Sequence, residues 1–167
     1  MRIAGIDPGF HRCGFAVLER AEDGAVELLE SGVLVTKRGE PLWLRLNDLA
    51  RQLEQVLALW RPEHVAVEEI YFAKNAKTAI DVAQARGVIL ERSSAAGLGI
   101  FEYAPAMVKN QLTGNGRAEK TQVAYMVRRM ISLPENAAGA KRLDDELDAI
   151  AVALCHAQRV TIPEVMQ

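Results

Sequence analysis

Aromatic residues make up only 5% of this 167-residue chain, and cysteine occurs twice, at Cys13 and Cys155. The cysteines lie far apart and in no metal-binding spacing, which excludes a disulfide scaffold and a zinc module; two reduced, semi-buried thiols are expected. Histidine is also sparse, so a nitrogen-ligated metal site has little to build on. Of the three, His11 reads as an exposed turn residue near Asp7, and His64 and His156 read as structural. No apolar run approaches the roughly 18 to 20 residues needed to cross a bilayer. No charged leader or cleavage site precedes the first apparent strand, so the expected location is cytoplasmic, with no membrane association. Internal repeats and low-complexity segments are absent as well.

What the chain has in quantity is Ala, Val, Leu and Ile, and half of its residues are hydrophobic. That is enough for one substantial core, so residues 1–167 are expected to form a single α/β domain. The segment Ile3 to Ile6 is short and apolar and runs into Asp7-Pro8-Gly9, a strand stopped by a turn. Gly14 to Leu18 and Leu28 to Thr36 are β-rich and separated by Glu22-Asp23-Gly24-Ala25, a hairpin signal. Leu42, Leu46, Leu49, Leu53, Val56 and Trp60 recur at spacings of three and four, which marks an amphipathic helix ended by Arg61-Pro62. His64 to Val67 is a short apolar strand that delivers Glu68-Glu69 at its end. Asn75 to Ala96 has helical spacing and closes at Gly97, a C-cap. Ile100 to Tyr103 reads as a strand, Pro105 to Gly116 as a stretch with a turn-rich segment, Lys120 to Ile131 as a helix, Pro134 to Gly139 as a loop, and Leu143 to Arg159 as the last helix. The order predicts a mixed five-stranded sheet flanked by helices.

Four acids stand out against this frame. Asp7 and Glu68 sit at strand ends, where α/β active sites gather, and Asp145 and Asp148 share one side of the last helix with Asp144. Each alone has an ordinary explanation as a turn residue, a solvated strand end, or a first-turn acid complementing the helix dipole. Together they suggest a carboxylate site for Mg²⁺ or Mn²⁺, because convergent carboxylates repel unless cations intervene. Two such ions would suit phosphodiester hydrolysis. A net charge of −2 argues weakly against a nucleic-acid partner, but from Lys109 to Arg129 there are five positive residues against one negative, a local excess of four.

The strings Gly5-Ile6-Asp7-Pro8-Gly9, Ala73-Lys74-Asn75-Ala76, Gln84-Ala85-Arg86-Gly87-Val88, Ala118-Glu119-Lys120-Thr121-Gln122-Val123 and Asp148-Ala149-Ile150-Ala151 resemble, in order and over nearly the whole chain, the RuvC family of Holliday-junction resolvases. The resemblance implies an RNase H-like fold, a homodimer, and Mg²⁺-dependent, paired and symmetric cleavage of a four-way DNA junction to 5′-phosphate and 3′-hydroxyl ends. It implies metal ligation by Asp7, Glu68, Asp145 and Asp148, with Asp144 and Glu146 flanking the third acid. It places an aromatic at Tyr71 and DNA-backbone cations at Lys109 and Lys120, with Lys120 also acting on the scissile phosphate. Lys74, Lys77 and Arg86 are further DNA-binding candidates, and a branch-migration complex of the RuvA and RuvB type is an implied partner. Other readings of the same residues are an ATP-binding protein of the actin type, opposed by length; a non-catalytic DNA-binding module; and a nuclease for RNA–DNA hybrids or simple duplex.

Overall fold

The computed structural model describes residues 1–70, 76–133 and 143–160, with backbone alone for Ala76, Lys77 and Thr78. Strands β1 (Arg2–Asp7), β2 (Arg12–Arg20) and β3 (Val26–Val35) form an antiparallel meander. The turn between β2 and β3 is closed by the Ala21 N–H on the Ala25 carbonyl, with Gly24 at φ 88°, a left-handed conformation that glycine adopts without steric cost. Helix α1 (Leu42–Trp60) follows Pro41 and stops where Arg61 turns left-handed at φ 47° and donates to the Leu57 carbonyl. Its buried ridge is Leu49, Leu53 and Leu57, so Leu57 joins the stripe that the spacing predicts.

Strand β4 (His64–Glu68), helix α2 (Ala76–Ala95) and strand β5 (Gly99–Tyr103) follow. The next element, α3 (Pro105–Thr113), is a helix in a stretch for which the sequence marks only the turn-rich segment Leu112-Thr113-Gly114-Asn115-Gly116. Pro105 occupies the first turn, where its missing N–H costs nothing, and Gly114 caps the end at φ 74°. The turn signals therefore belong to the end of the segment, while Val108 and Leu112 bury one face of its body. Helix α4 (Lys120–Met130) starts at Glu119, whose backbone N–H is held by the Gln122 side chain at 2.9 Å. Helix α5 (Asp144–Arg159) ends the described chain.

The sheet order is β3-β2-β1-β4-β5, with β4 parallel to both β1 and β5. Alternation along the strands divides the core. Ala4, Ile6, Val65 and Val67 pack against α1 and α2; Ile3, Ala16, Leu18, Ala66 and Tyr103 pack against α3, α4 and α5. Helix α5 is buried along almost its whole length, so it is the central helix of that layer, and Leu143 just before it is exposed. Both cysteines are fully buried, more deeply than expected. The reading of His64 and His156 as structural fits their contacts. His156 Nε2 lies 2.9 Å from His64 Nδ1, its Nδ1 lies 2.7 Å from the Tyr103 hydroxyl, and Phe101 packs on both imidazoles.

Candidate active site

Parallel pairing of β1 with β4 sets Ile6 opposite Val67, so the residues that follow, Asp7 and Glu68, emerge side by side at one sheet edge. Both continue the alternation that faces α5. Helix α5 can bring its own acids there because the seam beneath it is made of the smallest residues. A Cβ at Gly5 would lie 2.4 Å from the Ala149 carbonyl oxygen and 2.6 Å from the Ala153 Cβ, and one at Gly14 would lie 1.9 Å from the Asp145 carbonyl oxygen. The helix start thus rests directly on β1 and β2. The result is a cleft of about 240 Å³ lined by Asp7, Glu68, Asp148, Lys109 and Lys120, with Pro105, Val108, Val123 and Ala151 as its apolar wall.

The charges in this cleft do not balance. Burial, then Glu68, Asp148 and Asp145, push the Asp7 carboxyl up from 3.8 to about 8. Burial, then Asp148, push Glu68 from 4.5 to about 7. On α5 the acids have cationic partners: the Lys120 ammonium donates to Asp148 Oδ2 at 2.6 Å, and Arg12 Nη2 lies 2.5 Å from Asp145 Oδ2. The bond to Asp148 raises Lys120 above the ordinary lysine range. Among the described residues, no three His, Cys, Asp or Glu side chains are drawn together as a ready-made metal cage. Three carboxylates nevertheless line one cleft, and the two on strands are protonated more readily than in water because burial and the neighbouring acids outweigh the opposing charge of the lysines. An all-oxygen donor set short of positive charge fits a hard divalent cation.

Of the residues singled out in the sequence, the cleft gathers Asp7, Glu68, Asp148, Lys109 and Lys120. Asp145 is not among the lining residues; it is within electrostatic reach of Asp7 and held by Arg12. Arg86, on α2, is paired with Glu102 of β5 on the face opposite the cleft. Tyr71, Lys74 and the Lys77 side chain lie outside the described residues. His11 is half-buried rather than exposed, with its Nδ1 2.8 Å from the Thr36 carbonyl oxygen. Two features escaped sequence reasoning. Arg12 carries no signal in spacing or motif, and the buried Glu146, which accepts a 2.7 Å hydrogen bond from the Ser31 hydroxyl, could not be told from its acidic neighbours.

A family model described as Crossover junction endodeoxyribonuclease RuvC matches residues 3–156. A protein of that name from Pelotomaculum thermopropionicum is 45% identical over 161 residues, covering 96% of this chain and 95% of the relative. Another from Syntrophomonas wolfei is 43% identical over 156 residues, covering 93% and 88%. The solved structure of T. thermophilus RuvC in complex with Holliday junction substrate superposes with a TM-score of 0.84 at 38% identity, covering 94% of this chain and 93% of that one. The yeast mitochondrial Holliday junction resolvase Ydc2, at 14% identity and a TM-score of 0.68, shares the RNase H-like fold. The chain belongs to the RuvC family of crossover junction endodeoxyribonucleases.

Proposed function

We propose that this protein resolves four-way DNA junctions by paired, symmetric, metal-dependent hydrolysis that leaves 5′-phosphate and 3′-hydroxyl ends. The observation that carries the reading is the single cleft in which Asp7, Glu68 and Asp148 meet Lys109 and Lys120. Asp7, Glu68, Asp145 and Asp148 would hold two Mg²⁺ ions, with Mn²⁺ able to substitute. When bound, the ions would supply Lewis acidity to the phosphodiester and the positive charge that the buried acids lack.

The chain's own residues do the rest. Asp7 and Glu68 are fixed on paired strands, so their separation is set by the sheet. Lys120 reaches into the cleft from the start of α4 and can meet the anionic phosphate once Asp148 is engaged elsewhere. Lys109, on α3, supplies a second cation to the backbone of the bound strand. Val108, Val123 and Ala151 give the cleft a low-dielectric wall that strengthens each of these interactions. Tyr71, Lys74 and Lys77, following β4, would contact the junction, with Tyr71 stacking on a base. A homodimer would present two such clefts to a two-fold symmetric junction, and RuvA- and RuvB-type proteins would deliver the substrate.

The test is cleavage of an end-labelled immobile four-way junction beside matched duplex and RNA–DNA hybrid, with Mg²⁺ or EDTA. Paired nicks on the junction alone, lost in Asp7→Asn and in EDTA, are expected. Cleavage of the hybrid would move the substrate to RNA–DNA, and tight junction binding without cleavage in Mg²⁺ or Mn²⁺ would leave a binding module.

A further inference from the structure

We propose that Arg12 is an internal counter-cation of the active site, holding the Asp145 carboxylate until a divalent ion competes for it. This rests on the metal-dependent reading above. Arg12 opens β2 and reaches the first turn of α5, where its Nη2 lies 2.5 Å from Asp145 Oδ2. The two side chains are 39% and 33% exposed, shielded enough to pair firmly and open enough to separate.

The geometry leaves Asp145 two destinations. Its backbone cannot retreat, because its carbonyl oxygen is seated against Gly14 of β2 with no room even for a methyl group. Only the side chain can turn, toward Arg12 or toward the cleft, where its charge already bears on Asp7. The second α5 acid shows the same arrangement: Asp148 is held by Lys120, itself a lining residue of the cleft. Arg12 differs in standing outside that lining. Binding of an ion through Asp145 is therefore an exchange of one cation for another. The apparent affinity for divalent ions is weakened by the free energy of the Arg12–Asp145 pair, and Arg12 becomes a positioning residue that sets how much metal the site needs.

The experiment measures Mn²⁺ affinity of the whole protein without DNA, by the electron paramagnetic resonance signal of free Mn²⁺. It compares the parent, Arg12→Gln, Asp145→Asn, the double variant and Arg12→Lys. Arg12→Gln is expected to tighten Mn²⁺ about fivefold, the equivalent of a partly exposed ion pair. Asp145→Asn should weaken binding at least about threefold more in the Arg12→Gln background than in the parent, because only there is the carboxylate already free. Arg12→Lys, which keeps the charge and the pair, should bind Mn²⁺ like the parent, a rescue that a purely structural role of Arg12 would not require. Unchanged affinity in Arg12→Gln overturns the proposal, as do effects of the two substitutions that simply add. Mn²⁺ binding with additive effects would sink this inference alone; absence of Mn²⁺ binding by the parent would sink the metal-dependent reading with it.

Discussion

Replacing Asp7 by Asn should make the metal-free protein more stable, and increasingly so as pH rises. The Asp7 carboxyl is pushed from 3.8 to about 8, so between those values the folded protein holds a proton that the unfolded chain has released. The native state then binds more protons than the unfolded state, and the stability contributed by this group falls as pH rises through that window. At about 1.4 kcal/mol per pH unit, the interval sets a ceiling of nearly 6 kcal/mol. Sharing of the proton with Glu68 and local rearrangement bring the working magnitude to about 2 kcal/mol. For a domain of this size that is a rise in Tm of about 4–8 °C. The assay is thermal unfolding in EDTA from pH 5 to 8.5. The gap should be small at pH 5, where most of the window still lies ahead, and widen steadily so that Asp7→Asn melts clearly higher at pH 8.5. Mg²⁺ should then stabilise the parent selectively and close the gap. A variant no more stable than the parent at pH 8.5 in EDTA, or an advantage that does not depend on pH, would refute the claim that uncompensated charge is stored at this cleft.

Lys120→Ala should reduce junction cleavage by at least about a hundredfold, the scale of removing one donor to a developing anion, while Mn²⁺ still binds because Asp148 is released rather than lost; cleavage kinetics and Mn²⁺ titration separate the two. Gly14→Ala should cost about 1–3 kcal/mol in urea unfolding and weaken Mn²⁺ binding, since its Cβ displaces the start of α5 that carries Asp145; normal metal affinity in a folded variant would contradict the seam argument. His156 runs opposite to Asp7 in sign. Burial, then His64, lower it from 6.5 to about 4, so the unfolded chain binds the extra proton and stability is lost as pH falls through that window. His156→Gln should be less stable at pH 7 by about 1–2 kcal/mol, as His64 and Tyr103 lose a partner, with a deficit that narrows toward pH 4.

The strand and helix order was legible because its signals are local: alternation in β1 and β4, three-and-four spacing in α1, glycine and proline at the turns. Helix α3 was missed where two local signals overlapped, the turn residues near Gly114 masking the buried pair Val108 and Leu112. Asp7, Glu68 and Asp148 could be singled out because strand ends and helix faces are readable from sequence. Their meeting in one cleft could not be, since it depends on the parallel register of β1 with β4 and on the close approach of α5. Arg12 was invisible for the same reason. Its partner lies on the last helix, and nothing within β2 distinguishes a cation bound for Asp145 from one bound for solvent.

Helix-dipole complementarity and metal ligation first stand as competing accounts of the acids on α5, but the structure divides them by position. Asp144, Asp145 and Glu146 occupy the first turn, where the positive end of the helix favours them without any metal. That benefit fades within one turn, and Asp148 lies beyond it, half-buried beside Asp7 and Glu68. What holds Asp148 in this state is Lys120, at 2.6 Å from the far side of the cleft. A helix that starts stably on its own can therefore project one further acid into a crowded cleft, and local lysine and arginine restrain the charge until a stronger cation and an anionic strand arrive together. The acidic face of α5 is compatible with a folded metal-free protein for the same reason that it suits a metal-dependent one: its negative charge is spread over a helix end, two side-chain cations and a cleft that can still hold a proton.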